Sequence, residues 1–210
     1  MKPFLILVAG GSASGKSTVV KEIIEKAGLK DVIIIKHDDY YHDQKDLSFE
    51  EKLNQNYDHP NSLDNELLVK HIKDLISEKT IQKPKYDFVN YSRLKQTEEI
   101  KPKKVIIVEG ILILQDESLR SMSGLNLYVE LDDDTRFIRR MMRDIKERGR
   151  SVDSIVSHYQ NTVKPMFYKY VKPSKRHAHV IIPNDNKHDI AVDLIASKIR
   201  NVLGMWFWEQ

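Results

Sequence analysis

The sequence predicts an α/β fold of three layers, α/β/α, in which a five-stranded parallel sheet carries an inserted β-hairpin and a helical lid. Three observations predict it: five short apolar runs, amphipathic helical patterns between most of them, and a glycine-rich turn joining the first run to the first helix. Phe4 to Ala9 is continuously apolar, as a strand buried on both faces should be. Val19, Val20, Ile23 and Ile24 follow at helical spacing. Residues 32–35 read as the second strand, 104–108 as the third, 125–129 as the fourth and 179–182 as the fifth. Leu63, Leu67, Leu68, Ile72, Leu75 and Ile76 trace one helix face, and Ile190, Val192, Leu194, Ile195 and Ile199 mark a helix near the end. Between Lys83 and Ile100 the rhythm breaks, and YDFVNYS with a charged strand-like run predicts a hairpin set into the frame. We read residues 1–210 as one domain, with the hairpin at 82–100, an arginine-rich lid region at 134–171 and an aromatic tail at 204–210 of unassigned role.

Gly10 to Ser17 read GGSASGKS and satisfy the phosphate-loop pattern G-x-x-x-x-G-K-[ST] in the required place, after a strand and before a helix. Glycines at 10, 11 and 15 let the backbone approach a ligand closely, so that N–H groups along Gly10, Gly11, Ser12, Ala13, Ser14, Gly15, Lys16, Ser17 and Thr18 surround a polyphosphate. Lys16 adds a point charge, Ser17 a hydroxyl for Mg²⁺, and the helix N-terminus a positive dipole end.

Other candidates cluster at the carboxyl ends of predicted strands, where ligands of open α/β sheets bind. Glu109 ends the third strand and suits a Mg²⁺ shell, or caps the next helix. Asp38 and Asp39 end the second strand, and either could accept a proton or sense the metal. Asp58 lies in a polar loop and reads equally as a turn residue. Arg136, Arg139, Arg140 and Arg143 share one helix face, with Arg148 and Arg150 beyond it, predicting a concentrated basic surface that lids a phosphate. His37, His42, His59, His71, His177 and His179 form no metal-binding spacing and read as packing or surface residues.

Composition narrows the class. A formal charge of +3 is too small to argue for nucleic acid, and no aromatic-interleaved RNA-reading motif accompanies the arginines. No apolar run approaches membrane-spanning length, and neither a membrane role nor a secretory signal is expected. The absence of cysteine excludes disulfides, thiol catalysis and thiolate metal sites, and agrees with a cytoplasmic protein.

Taken in order, GGSASGKS, HDDYY, NYDHPNSLD, KYDFVNYSR, VIIVEGIL, RRMMRDIKERGRS and YVKPSKRHAHVIIP resemble the uridine–cytidine kinases, the pyrimidine ribonucleoside kinases of the P-loop NTPase superfamily, over nearly all residues from Phe4 to about Arg200. The resemblance implies transfer of the γ-phosphate of ATP, or GTP, to the 5′-hydroxyl of uridine or cytidine, giving UMP or CMP in pyrimidine salvage. It makes Asp38 the general base, gives Lys16 the phosphates, and assigns Ser17 and Glu109 to Mg²⁺. Asp58 would grip the ribose, with Arg140 beside it. Tyr41, Tyr57, Tyr86 and Phe88 would line the nucleoside pocket, Arg150 would lie near the base, and Arg143 and Arg148 would meet ATP phosphates. A homotetramer and restraint by CTP and UTP are also implied. Two residues depart from the family pattern: Tyr91 stands where many members have histidine, and His158 where many have glutamine. Tyr91 would lie at the base edge and bias the site toward cytidine. Competing readings are a related kinase acting on a sugar phosphate or pantothenate, and a nucleotide-dependent switch or ATPase.

Overall fold

The computed structural model describes residues 2–185 and 188–204. Five strands, β1 (Phe4–Gly10), β2 (Val32–Lys36), β5 (Val105–Glu109), β6 (Leu125–Glu130) and β7 (Val180–Pro183), pair in parallel in the order β2-β5-β1-β6-β7. β3 (Ile81–Asp87) and β4 (Ser92–Ile100) form a separate antiparallel hairpin. The helices are α1 (Lys16–Ala27), α2 (Phe49–Leu53), α3 (Asn65–Ile76), α4 (Glu117–Met122), α5 (Asp133–Arg148), α6 (Val152–His158), α7 (Lys164–Met166), α8 (Lys172–Ser174) and α9 (Asp189–Val202).

Strand alternation divides the core between the two sheet faces. Leu5, Leu7, Ile33, Ile35, Ile106 and Val108 point to one side, where Leu68, Ile72 and Leu75 of α3 cover them together with Tyr40 and Tyr86. Ile6, Val8, Ile107, Leu127 and Val129 point to the other, against Val19, Val20 and Ile23 of α1 and Val192, Ile195 and Ile199 of α9. Burying both faces explains why β1 and β5 read as apolar runs up to their last residue and why β6 is apolar from Leu125 to Val129 except at Asn126. Leu63 departs from the predicted helix face: Asp64 caps α3 by accepting from the Leu67 N–H at 3.1 Å, so the helix starts after it, and Leu63 bridges Tyr41 instead. Ile190 and Leu194 belong to α9 but lie on its exposed side.

Residues 152–177 form a long helical return that alternates α-turns with π-turns at Tyr159–Val163 and Phe167–Val171. Pro165 and Pro173 each remove an N–H from the ladder, and a widened turn precedes each one. No helix among the described residues is long and apolar enough to cross a membrane. Of the aromatic tail, residues 205–210 lie outside the described residues.

Candidate active site

Because β2, β5 and β1 are neighbours, the segments leaving their carboxyl ends lie side by side, and Glu109 is in register with both Val8 and Lys36. The loop after β1 turns into α1 at Gly15, whose φ of +88° is a conformation that suits glycine. Asn184, at the end of β7, pins this loop: its Nδ2 donates to the Ser14 carbonyl at 2.7 Å while its backbone N–H donates to Glu130 O at 2.8 Å. The Lys16 ammonium donates to Gly10 O at 3.0 Å and Gly11 O at 3.1 Å. Burial lowers its pKa, opposed by Asp38 and Glu109, so the charge is weakly solvated and strongly drawn to an anion.

Ser17 Oγ donates to the Glu109 carboxylate, 2.9 Å from each oxygen. A hydroxyl and a buried carboxylate held together are hard oxygen donors, a pair that fits Mg²⁺ completing its shell with water and phosphate oxygens. Among the described residues no group of three or more His, Cys, Asp or Glu could hold a metal by itself.

The turn after β2, His37–Tyr40, is a single 3₁₀ turn that sends its two aspartates to different partners. Asp39 Oδ2 accepts from Lys83 Nζ at 2.5 Å. Asp38 is within electrostatic reach of Lys16, His37, Tyr41 and Asp58. Next to it stands an aromatic wall: Tyr41 meets Tyr57 edge-on at 5.4 Å and Tyr86 at 5.2 Å, and Tyr57 lies 5.2 Å from Tyr91. Phe88 extends the wall from Tyr86 at 5.3 Å and is largely exposed. Tyr91 holds φ at +50°, unusual for a bulky residue, at the tip of a hairpin turn in which Asp87 accepts from the Val89 and Asn90 N–H groups. Asp58 is buried, and burial raises its carboxyl pKa against the pull of Arg140.

The arginines correct the expectation of a basic surface. Arg136 and Arg140 are buried, because α5 turns its arginine face inward onto the phosphate loop. The Arg136 guanidinium sits 3.9 Å over the Phe167 ring, donates to Asp133 at 2.5 Å and Leu131 O at 3.2 Å, and packs on Gly11. It is a structural pin. Arg139 is exposed near Gly15. Arg140 donates to Ser12 Oγ at 2.8 Å, so its anchor is the phosphate loop, although it remains within electrostatic reach of Asp58. Arg143 donates twice to Asp144 Oδ1, at 2.9 and 2.7 Å, and Arg148 lies 3.5 Å from the same oxygen. Arg150 donates to Ser154 Oγ at 3.2 Å. His158 lies within electrostatic reach of Arg140, Arg148 and Arg150; burial, then Arg140 and Arg150, push its pKa down to about 4.

Three residues of the site's frame escaped the sequence reading. Asp144, fully buried, gathers Arg140, Arg143 and Arg148; its spacing of four from Arg140 and from Arg148 was the available signal. Lys83 and Asn184 act across long sequence separations and left no local signal.

Burial also lowers the pKa values of His37 and His71, so these two and His158 favour the neutral imidazole in the fold. Their folded pKa values lie below the unfolded value of about 6.5, so the unfolded chain binds more protons at acid pH. Their contribution is complete above that value and is lost as pH falls below it. Thermal melts should therefore show a falling Tm from pH 7 to pH 5, and His158→Gln should flatten that slope. An unchanged slope would contradict the assignment.

The pattern of the Phosphoribulokinase / Uridine kinase family matches residues 5–191. A uridine kinase of Ligilactobacillus salivarius is 47% identical over 202 residues, which span 96% of this chain and 95% of the relative. A uridine kinase of Clostridium novyi is 49% identical over 203 residues, 97% and 98% of the two chains. In fold, a putative fructose transport system kinase from Silicibacter superposes with a TM-score of 0.69 at 19% identity, covering 87% of this chain and 90% of the other. By the extent of the family match and by relatives aligned almost end to end, the chain belongs to the phosphoribulokinase/uridine kinase family.

Proposed function

We propose that this protein transfers the γ-phosphate of ATP, or of GTP, to the 5′-hydroxyl of uridine or cytidine, producing UMP or CMP for pyrimidine salvage. One observation carries the reading: the phosphate loop, with Ser17 bonded to Glu109, and Asp38 follow the carboxyl ends of neighbouring strands, and Asp38 is within electrostatic reach of buried Asp58 and of Tyr41, from which the aromatic wall of Tyr57, Tyr86 and Tyr91 extends. The wall offers flat apolar faces to a pyrimidine, and Asp58 offers a carboxylate to ribose hydroxyls. A loop that only hydrolysed nucleotide would need neither. The family relatives named uridine kinase support the same substrate class.

Phosphoryl transfer depends on alignment and charge stabilisation more than on covalent help from the protein. Lys16 exchanges its two loop carbonyls for phosphate oxygens. Asp38 accepts the proton of the attacking 5′-hydroxyl, whose oxygen bonds to the γ-phosphorus as the bridging oxygen leaves with ADP. Asp39, already bonded to Lys83, is the poorer base. Arg143 and Arg148 move from Asp144 to the transferring phosphoryl group, and Arg140 and Arg150 close the sugar and base side. Ser17 and Glu109 would hold Mg²⁺, which when bound neutralises charge on the phosphates. On the same reading the chain is a cytoplasmic homotetramer restrained by CTP and UTP.

The base edge belongs to Tyr91 and His158. Tyr91, stacked on Tyr57 and flanked by Phe49, has a fixed phenol reach and favours the 4-amino over the 4-oxo edge. The enzyme should use cytidine better than uridine, and Tyr91→His should move the ratio of kcat/KM values toward uridine. A ratio unchanged in that variant would remove Tyr91 from specificity.

A further inference from the structure

The hairpin contributes no strand to the main sheet, yet it is bound to the turn that bears Asp38 through two buried or half-buried cations. Lys83 on β3 is 6% exposed, an uncommon place for a lysine. Its ammonium meets Asp39 Oδ2 at 2.5 Å and Glu98 Oε2 at 3.3 Å, Glu98 being its cross-strand partner on β4. Arg93 on β4 donates to Tyr41 O at 2.7 Å, to Tyr40 O at 3.0 Å and to Asp64 at 3.0 Å. From the opposite side, the Tyr40 phenol bonds His71 of α3 at 3.0 Å. Every residue of the turn after Asp38 is thus gripped, while Asp38 itself is within electrostatic reach of Lys16, Tyr41 and Asp58.

Lys83 and Tyr86 sit three apart on β3, where strict alternation would send them to opposite faces. A register shift between Pro84 and Tyr86 turns both inward. The strand that presents Tyr86 to the aromatic wall therefore also holds Asp39. Packing alone could dock the hairpin, since Ile81 and Tyr86 already join the core, so burying a lysine there calls for a reason of position.

We propose that Lys83 is a positioning residue: through its ion pair with Asp39 it ties the nucleoside-contacting hairpin to the Asp38 turn and holds Asp38 in line with the acceptor hydroxyl. Arg93 secures the backbone of the same turn. The inference rests on the proposed function, with Asp38 as the base.

The test compares full-length wild type, Lys83→Met, Lys83→Arg, Asp39→Asn, the Lys83→Met/Asp39→Asn double variant and Asp38→Asn, measuring kcat, KM for each substrate and Tm. Lys83→Met should lose about 10²-fold in kcat, the scale of an ångström misplacement, with KM for ATP within about twofold. Lys83→Arg, which keeps the ion pair, should recover most of that loss. Asp39→Asn, which keeps the side chain's shape and so guards against a misfolded Lys83→Met, should lose kcat likewise. The double variant should be no worse than the poorer single, because the two residues act as one unit. Near-normal kcat in both single variants, independent multiplication of their effects, or a loss that follows only the fraction folded would overturn the proposal. A wild type inactive on pyrimidine nucleosides would sink the functional reading and this inference with it. Normal kcat in the Lys83 and Asp39 variants beside a crippled Asp38→Asn would sink the positioning role alone.

Discussion

Asp38→Asn should lower kcat by roughly 10²- to 10⁴-fold, the range expected when a positioned general base is lost, with little change in nucleoside affinity. The substitution preserves shape and one acceptor oxygen but removes the site that takes the proton. Asp38 is within electrostatic reach of both the Lys16 ammonium and the Asp58 carboxylate, the groups that on the proposed reading hold the phosphates and the ribose. Its neighbour cannot substitute for it without giving up Lys83. Near-normal turnover of Asp38→Asn, with Asp39→Asn inactive, would transfer the base role to Asp39.

Asp144→Ala should destabilise the fold by about 3 kcal/mol, the lower end of the cost of breaking a buried ion pair. With about 2–4 °C lost per kcal/mol in a protein of this size, Tm should fall by about 6–12 °C. Asp144 is fully buried and faces three guanidinium groups, while Arg143 and Arg148 are partly exposed and can turn to water when it is removed. That relief places the expected cost at the low end. Burial alone would raise the Asp144 carboxyl pKa, but the Arg143 hydrogen bonds and the Arg140 and Arg148 charges outweigh it and hold the group below the usual carboxylate range. Asp144→Asn separates charge from packing: it keeps the volume and should recover only part of the stability. A melting temperature for Asp144→Ala equal to wild type would mean that the arginines need no anion to share the site.

Elements that announce themselves locally were legible. The central strands β1, β5 and β6 were readable because both of their faces are covered, and the phosphate loop because its glycines, lysine and serine have fixed spacing. The orientation of α5 was not legible. Helical periodicity shows that Arg136, Arg140 and Arg143 share a face but not that the face turns inward, which depends on Phe167 and Ser12, distant in the chain. The same limit hid Asn184 holding Ser14 and Lys83 holding Asp39. At the sequence level only the resemblance separated Asp38 from Asp39; the fold adds the Lys83–Asp39 ion pair, which supports the proposed choice of Asp38 and which periodicity could not reveal.

The most direct measurement is Mg²⁺-dependent ADP formation from ATP in three parallel reactions, with cytidine, with uridine and with no acceptor, the nucleotide product being identified by mass. ADP matched by CMP or UMP is expected when a nucleoside is present, faster with cytidine, with background ADP without one. Equal ADP in all three reactions, with no nucleoside monophosphate formed, would contradict the kinase reading and leave a nucleotide-hydrolysing switch in its place.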